Sequence, residues 1–329
     1  MATLRLADST AIREAAFLLR AGGLVAFPTE TVYGLGANAL DPTAVARIFV
    51  AKGRPNANPL IVHVADRGQL PALVRDWPAL ADRLADAFWP GPLTLIVAKS
   101  AIVPDVVTGG GATVALRIPS HPVALELLRE AGVPVAAPSA NRSGELSPTT
   151  AEHVLRSLGD KVDLILDGGP CPGGLESSVV DVTGAVPRLL RPGLIGVEEL
   201  ERICGKLEVG VKAGGSLSSN VTNPFPGSLE PLMSPGMLTR HYAPRTAVEL
   251  AATAQESAFL ANLYRTAGLR VAEYALPSDA KVAAANLYVD LHLLDDGSHD
   301  RIIVTLPEAI ATEPWRAVYD RLTRASAEE

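Results

Sequence analysis

The chain has 329 residues, a formal net charge of −7 and a hydrophobic fraction of 48%. Its length indicates one large domain or two ordinary ones, and its apolar content excludes a wholly disordered chain. The acidic balance argues against a protein that coats nucleic acid through bulk charge. No run of about 18 apolar residues occurs, so we expect neither a membrane span nor a signal peptide.

The two cysteines, Cys171 and Cys204, stand far apart and form no CxxC motif. This spacing excludes a disulfide framework and a zinc-ribbon site. A reducing compartment fits such sparse cysteine usage, and we therefore expect a cytoplasmic protein.

Short apolar runs alternate with helical patterns along residues 1–206. Capping residues and glycine stops predict four helices. The first begins at Ser9 or Thr10 and ends at Arg20, and the second runs from Asp41 to about Lys52. The third runs from His121 to Glu130, and the fourth begins at Thr149 or Thr150. The apolar runs predict strands over 24–27, 60–64, 93–97, 113–117, 133–137, 162–166, 179–182 and 188–190. Several strand pairs lack an intervening helix, so we expect an α/β fold with a mixed sheet.

The amino-acid composition changes in residues 207–244, which are rich in Gly, Ser, Asn and Pro. This composition predicts a long linker without a core of its own. Residues 245–329 then show a second α/β pattern. Its predicted strands cover 248–251, 269–275 and 301–305, and its predicted helices lie near 255–266, 279–293 and 314–324. This alternation predicts a small doubly wound unit.

The common nucleotide and hydrolase motifs are missing from the sequence. No GxxxxGK[ST], HExxH or GxSxG occurs, and Gly34-Leu35-Gly36 lacks the third glycine of a dinucleotide loop. A P-loop enzyme, a simple Rossmann dehydrogenase and a serine hydrolase are therefore not supported. The glycines at 109–111 and 168–169 favour turns over phosphate cradles.

Polar side chains follow the predicted buried strand 24–27. Thr29, Glu30 and Thr31 stand where an α/β sheet binds ligands, at the end of a strand. They could therefore meet a small ligand. The alternative is that the threonines cap the next helix and the glutamate is solvated.

Cations and hydroxyls recur at other strand and helix ends. Lys52 and Arg54 flank a glycine, and they form either an anion clamp or a complement to the helix dipole. Arg117 ends a strand and needs an anionic or carbonyl partner, which either a ligand carboxylate or an internal Asp would supply. Ser139 and Asn141 suit nucleotide or amino-acid recognition, but they suit a tight turn equally well. Together these residues place cations and hydroxyls at one edge of the sheet. They predict a site for a phosphorylated ligand, with Mg²⁺ and without a metal cage built from protein side chains.

The motifs resemble one known family. They are PTETVYGLG at 28–36, AKGRP at 51–55, NPLIVHV at 58–64, WPGPLT at 89–94, ALRIPSHP at 115–122, APSANRSG at 137–144, SSVVD at 177–181, LRPG at 190–193 and SPGMLTRHYAP at 234–244. Across the whole chain this pattern resembles the L-threonylcarbamoyl-AMP synthases in their two-domain form. The resemblance implies a YrdC-like twisted mixed sheet with flanking helices over 1–206, a linker and lid over 207–244, and a smaller Rossmann-like domain over 245–329.

The resemblance also implies an activity and a set of site residues. Such enzymes make threonylcarbamoyl adenylate from L-threonine, bicarbonate or CO₂, and ATP, and a downstream complex transfers the product to tRNA beside the anticodon. By motif position the catalytic residues are Lys52, Arg54, Ser139 and Asn141. The implied L-threonine site is Thr31, His63, Arg117, Ala137 and Ser177. The implied ATP site is Arg54, Asn58, Thr113, Ser139, Ser147, Arg191 and Tyr242.

Two readings compete with synthesis. An RNA-binding module of the same fold would need basic charge and aromatic stacking, but residues 1–200 carry 17 Lys plus Arg against 20 Asp plus Glu. Carbamoyl transfer from carbamoyl phosphate, known in hydrogenase-maturation proteins that contain this fold, would bring zinc-finger cysteines that this sequence lacks. His63 alone, inside a predicted strand, is also typical of a satisfied core histidine.

Overall fold

The computed structural model describes residues 3–55, 58–210 and 241–327. Within these ranges the chain forms one eleven-stranded mixed sheet and one three-stranded parallel sheet, with helices packed on both. The larger sheet lies in the first part of the chain and the smaller one in the residues after 244. The predicted α/β fold with a mixed sheet and a smaller α/β unit is confirmed.

The larger sheet contains strands separated by helices of four to twelve residues. Its strands are β1 (Thr3–Leu6), β2 (Val25–Phe27), β3 (Gly34–Asn38), β4 (Ile61–His63), β5 (Leu93–Ala98), β6 (Thr113–Arg117), β7 (Val135–Ala136), β8 (Leu164–Asp167), β9 (Ser178–Asp181), β10 (Arg188–Arg191) and β11 (Glu208–Val209). The helices of this part are α1 (Ser9–Arg20), α2 (Pro42–Lys52), α3 (Leu70–Leu73), α4 (Ala79–Phe88), α5 (Asp105–Thr108), α6 (Pro122–Ala131), α7 (Ala151–Leu158) and α8 (Val197–Cys204).

The strand order of the larger sheet is β1-β8-β2-β3-β7-β4-β6-β5-β9-β10-β11. Antiparallel pairing joins β2 to β3, β3 to β7 and β7 to β4, so β2 and β4 run in opposite directions. Strands β4 and β6 are parallel, with His63 opposite Arg117. The carboxyl ends of β2 and β4 therefore do not share one edge of the sheet.

Local signals explain where two of the helices begin and end. The Asp8 side chain accepts from the backbone N–H groups of Thr10 and Ala11 and caps α1, so the cap lies just before the predicted Ser9 or Thr10. Asp41 caps α2, as predicted, and Gly53 ends it in the left-handed region with φ 60°.

Strand β3 was not among the predicted strands, because its sequence GLGAN reads as a loop. It is buried, and a Cβ at Gly36 would lie 2.8 Å from side-chain atoms of Phe27 and Val135. Glycine is thus required by close strand packing rather than by a turn. The predictions also omitted β1, α4 and α8 and made β7 too long.

The smaller unit alternates strands and helices. Its strands are β12 (Ala247–Ala251), β13 (Val271–Ala275) and β14 (Arg301–Thr305), in the order β12-β14-β13, and its helices are α9 (Ala254–Thr266), α10 (Ala280–Leu294) and α11 (Arg316–Ala325). Ile303 packs on the side of α9, whereas its neighbours Ile302 and Val304 pack with α10 and α11. Helices therefore cover both faces, as the predicted doubly wound unit requires.

The two parts share a core at their junction. Val32, Leu146 and Leu175 of the first part pack in one apolar cluster with residues of α10 and α11. Gly174 lies against α10 so closely that a Cβ there would stand 2.4 Å from the backbone oxygens of Ala284 and Ala285. The predicted linker spans 207–244, of which residues 211–240 lie outside the described residues. No helix in the described ranges combines the length and apolarity that crossing a membrane requires.

Candidate active site

One cavity lies between the loop after β2, strand β4, the end of β6, the segment after β7 and the end of β10. His241 and Tyr242, which precede the smaller unit, close it from the other side. Eight of the predicted site residues line the cavity within the described part of the chain: Thr31, Arg54, His63, Arg117, Ala137, Ser139, Arg191 and Tyr242. Strands distant in sequence thus bring most of the predicted residues together.

Arg117 is buried at the end of β6, and its guanidinium is already partnered. Its Nη2 lies 2.7 Å from Glu30 Oε1 and donates to Thr31 Oγ1 at 3.1 Å, while its Nε donates to the carbonyl of Gly91. The internal partner of Arg117 is therefore Glu30 and not an aspartate, and Glu30 is not a solvated residue. This carboxylate also accepts from the backbone N–H of Ser120 at 3.1 Å. The arginine is oriented before any ligand arrives.

His63 lies on β4, opposite Arg117 of the neighbouring strand β6. Burial and the charge of Arg117 lower the pKa of His63 to about 3, so its ring is neutral at pH 7. Its Nδ1 is buried without a hydrogen-bond partner among the described residues. A satisfied core histidine would have such a partner, and a buried polar atom left open at a cavity wall is suited to a ligand.

Lys52 ends α2, and its side chain turns away from its own helix. Its Nζ donates to the carbonyl of Ser139 at 2.6 Å and to the carbonyl of Asn141. Burial and the charge of Arg54 lower the pKa of Lys52 well below its usual range. The ammonium therefore holds the loop 139–141 against α2 and is poised beside a second cation, an arrangement that favours an added anion.

Arg54 continues this cationic wall. Its Nη2 donates to the carbonyl of Pro59 at 3.2 Å, and its Nε is buried without a hydrogen-bond partner among the described residues. Burial lowers the pKa of Arg54 to about 10, so the group stays charged at pH 7. A desolvated, partly unpaired guanidinium is a strong anion site.

Arg191 also lines the cavity, close enough to Arg54 for its charge to lower the Arg54 pKa, and two serines lie behind it. The Arg191 Nε and Nη2 donate to the carbonyl of Ser177 at 3.1 and 3.0 Å, and Nη2 also reaches Ser177 Oγ at 3.0 Å. Ser147 Oγ donates to Glu176 Oε1 at 2.5 Å. Ser147 and Ser177 are both fully buried and stand one residue layer behind the cavity surface.

Besides Ser147, two further predicted ATP residues do not line this cavity. Asn58 is buried, and its side-chain amide has no hydrogen-bond partner among the described residues. Thr113 begins β6, four residues before Arg117, and therefore lies toward the far end of that strand. The assignment of both residues to ATP stays a prediction.

Arg321 was missed by the sequence reasoning, and Glu176 was given no role in it. Arg321 lies on α11, is buried, and its Nε donates to Glu176 Oε2 at 2.7 Å. A signal was present: Val318, Leu322 and Ala325 form a buried stripe of α11, and the arginine falls inside it. An arginine within an apolar stripe predicts a buried acid partner.

The described ranges contain no cluster of three or more His, Cys, Asp or Glu side chains that could hold a metal ion. The polar side chains that line the cavity are three arginines, threonine, serine and tyrosine hydroxyls, the rings of His63 and His241, and one carboxylate, Glu176. A mixed sheet that gathers buried cations and hydroxyls around one cavity defines a binding site for an anionic small molecule.

Comparisons with known proteins place this site in a family. Residues 17–193 match the family model Sua5_yciO_yrdC, described as "Telomere recombination", and residues 195–327 match Sua5_C, described as "Threonylcarbamoyl-AMP synthase, C-terminal domain". The chain belongs to the threonylcarbamoyl-AMP synthase family.

Individual relatives agree with the family model. A threonylcarbamoyl-AMP synthase of Bacillus subtilis is 42% identical, over 96% of this chain and 92% of its own length. One from Pyrococcus abyssi is 50% identical, over 72% of this chain and 66% of its own length. The solved structure of P. abyssi Sua5 complexed with L-threonine has a TM-score of 0.87 at 40% identity, covering 99% of this chain and 97% of that one. The resemblance drawn from the motifs is confirmed.

Proposed function

We propose that this chain joins L-threonine, bicarbonate or CO₂, and ATP into L-threonylcarbamoyladenylate and releases pyrophosphate. The observation that carries the proposal is one cavity lined by both Arg117 and Arg54, with the buried Lys52 behind it on the carbonyl of Ser139. One cavity can thus hold an amino-acid carboxylate and a polyphosphate side by side. The names of the relatives support this reaction over an RNA-binding module.

In this proposal Arg117 binds the threonine carboxylate. Thr31 Oγ1 already lies 3.1 Å from its Nη2, and the neutral His63 ring offers its free Nδ1 to a substrate polar group. Ala137 and Ser177 complete the threonine site. The positions of Arg117 and Thr31 are fixed by the protein before binding, which reduces the entropy lost on orienting the substrate.

The chemical step joins two anions. The threonine amine first forms an N–C bond with CO₂ and loses a proton, or with bicarbonate and loses water. The carbamate oxygen of this N-carboxylate then attacks the α-phosphorus of ATP. A new O–P bond forms, the bond from the α-phosphorus to the bridging oxygen breaks, and pyrophosphate leaves. Lys52 and Arg54 would stabilise the negative charge that develops on the phosphates, and Ser139 and Asn141 hold the loop against Lys52.

Mg²⁺ is proposed to enter with the ATP phosphates. Glu176 is the carboxylate beside the proposed ATP residue Ser147, and its oxygens already accept from Ser147, Tyr288 and Arg321. Mg²⁺ commonly keeps its waters and binds through substrate phosphates, so this donor set fits an ion that the nucleotide carries. The ion would neutralise phosphate charge.

The division into a catalytic domain 1–206, a linker and lid 207–244 and a C-terminal domain 245–329 remains our proposal for this chain. His241 and Tyr242, within the linker interval, line the cavity and are both buried. We further propose that the product passes, in the cytoplasm, to a complex that transfers its threonylcarbamoyl group to tRNA. Direct contact of this chain with tRNA would be weak, because residues 1–200 are net acidic.

Pyrophosphate release tests the proposal. Release from ATP and bicarbonate, with Mg²⁺, is compared with and without L-threonine for the wild type, for Lys52→Ala and for Lys161→Ala, which removes an exposed lysine away from the cavity. We expect threonine-dependent release that collapses only in Lys52→Ala. A folded wild type that releases no pyrophosphate would contradict the synthase proposal, and RNA binding that is lost at modest salt would then become the leading function.

A further inference from the structure

Arg321 of α11 reaches across the junction between the two parts of the chain. Its side chain has 0% exposure. Besides Glu176, its guanidinium donates to the carbonyl of Pro192 at 3.0 Å and to Asp320 Oδ2 at 2.5 Å. Pro192 directly follows Arg191, the predicted ATP residue at the cavity wall. The smaller unit thus places a charged group immediately behind the nucleotide side of the site.

Glu176 receives hydrogen bonds from both parts of the chain. Ser147 Oγ donates at 2.5 Å from the first part, and Tyr288 OH donates at 3.2 Å from α10. Burial by itself raises the pKa of Glu176, but the charges of Arg321 and Arg191 and the hydrogen bonds from Ser147 and Arg321 outweigh it and hold the pKa at about 2. The carboxylate is therefore ionised and fixed, and it fixes Ser147 in turn.

Arg321 also supports the segment that closes the cavity. Its Cζ lies 4.8 Å from the centroid of the Tyr242 ring, within cation–π range. Tyr242 has a positive φ of 61°, a conformation that non-glycine residues rarely adopt and that the surroundings must maintain. One residue earlier, the backbone N–H of His241 donates to the carbonyl of Arg324 on the same helix at 3.4 Å.

Docking of the two parts does not depend on Arg321 alone. Gly174 packs against the α10 backbone, and the shared apolar cluster spans the junction. The arginine instead contacts the two points that the ATP site needs: Glu176, which holds Ser147, and the ring of Tyr242. Its contacts therefore go beyond those of a residue that only joins two surfaces.

We propose that Arg321 is a positioning residue of the nucleotide site and that the smaller unit completes this site by fixing Ser147, through Glu176, and Tyr242. The proposal rests on the synthase function given above. It assigns the smaller unit a role in ATP binding and none in threonine recognition, because Arg117 is held by Gly91, Thr31 and Glu30, all in the first part of the chain.

Equilibrium binding of ATP and of L-threonine, measured separately on the full chain, tests the proposal. The variants are Arg321→Met, Arg321→Lys and the control Arg316→Met, which removes a half-buried arginine of the same helix that pairs with Glu313 away from the cavity. We expect Arg321→Met to raise the ATP dissociation constant at least tenfold and the threonine constant less than twofold. Arg316→Met should change neither.

Arg321→Lys keeps the charge beside Glu176 but loses the planar fork, so we expect a severalfold weaker ATP affinity in a protein that still folds. The Arg321→Lys variant therefore still tests the proposal if Arg321→Met does not fold. Hydrogen exchange of the backbone at 241–244, measured without ligand, should be faster in both Arg321 variants and unchanged in Arg316→Met.

Unchanged ATP affinity in a folded Arg321 variant, or parallel losses for ATP and threonine, would overturn the positioning role. A wild type that binds no ATP would instead refute the proposed function. The two failures are therefore distinguishable, since the first requires a wild type that binds ATP.

Discussion

The Nη2 of Arg117 lies 2.7 Å from Oε1 of Glu30, and both side chains are nearly buried beside the cavity. A threonine carboxylate approaching Arg117 would therefore meet an anion that already occupies one edge of the guanidinium. Arg117 must then bind two carboxylates at once, or Glu30 must move when threonine arrives. In both cases Glu30 sets the affinity for threonine.

Replacing Glu30 with glutamine should tighten threonine binding. The amide keeps the shape but removes the negative charge that opposes the substrate carboxylate, so we expect the threonine KM to fall by about tenfold. Glu14→Gln, which changes an exposed glutamate paired with Arg5, is the control and should have no effect. Steady-state pyrophosphate release at varied threonine measures both, and a higher KM in Glu30→Gln would show that Glu30 only orients Arg117.

The hydroxyl of Tyr242 should matter for ATP more than for stability. Tyr242→Phe keeps the ring over Arg321 and removes only the hydroxyl, so we expect the ATP affinity to fall by about tenfold, or about 1.4 kcal/mol. The melting temperature should change by no more than a few degrees. Tyr274→Phe, which removes a hydroxyl bonded to Asp290 in the smaller unit, serves as control for the loss of one hydroxyl. Unchanged nucleotide affinity in Tyr242→Phe would remove the hydroxyl from the site.

Gly193 is predicted to be intolerant of any side chain. A Cβ there would lie 2.3 Å from the backbone nitrogen of Ser178 and 2.5 Å from the carbonyl oxygen of Glu176. Gly193→Ala should therefore push the 176–178 segment outward, lower the free energy of unfolding by about 2 kcal/mol or more and weaken ATP binding. Gly184→Ala, whose Cβ would find only one atom at 3.6 Å, is the matched control. Urea unfolding of both variants checks this, and equal stabilities would contradict it.

Stability should fall in mild acid because histidines are held neutral in the fold. The rings of His153 on α7 and His292 on α10 stack at 3.8 Å across the junction, facing Arg156, Arg245 and Asp295. Burial, together with the nearby His292 and Arg156, lowers the pKa of His153 to about 3, and burial lowers the pKa of His292 to about 4.

The sign follows from linkage. Above about pH 6.5 the two histidine rings are neutral in both the folded and the unfolded chain. Below that pH the unfolded chain binds protons on these rings, whereas the folded chain does not. Each of these histidines then lowers the free energy of unfolding by up to about 1.4 kcal/mol per pH unit. The decrease is smaller for His292, which is more exposed. Urea unfolding at pH 7.5, 6.0 and 5.0 should show this loss, with a shallower slope in His153→Asn. An identical slope in the variant would rule out the stacked pair as a source.

Much of the fold follows from local signals, but the assembly of the site does not. Asp41 and Gly53 bound α2 by capping chemistry that acts within a few residues, so the sequence predicts it directly. Strand β3 is different, because Gly36 is required by Phe27 and Val135, and the latter is about a hundred residues away in the chain. No local pattern contains that requirement.

The site shows the same division. Cations and hydroxyls near strand ends predicted an anionic ligand, and Arg54, Arg117 and Arg191 do line one cavity. The expectation that strand ends share one sheet edge does not describe the geometry, since β2 and β4 run in opposite directions. The apolar stripe of α11 indicates that Arg321 is buried, but it does not place Arg321 at the site, because its partner, Glu176, lies 145 residues earlier.

The same sequence separation between Glu176 and Arg321 determines the order in which the two parts can fold during translation. The ribosome makes Glu176 long before Arg321, so the nascent first part carries a carboxylate without its cation and leaves Val32, Leu146 and Leu175 without the α10 and α11 surfaces that cover them. Such an incomplete nascent chain exposes apolar surface that is prone to aggregation while synthesis continues. Chaperone dependence during translation should therefore end when α11 emerges, at the moment when the nucleotide site is completed.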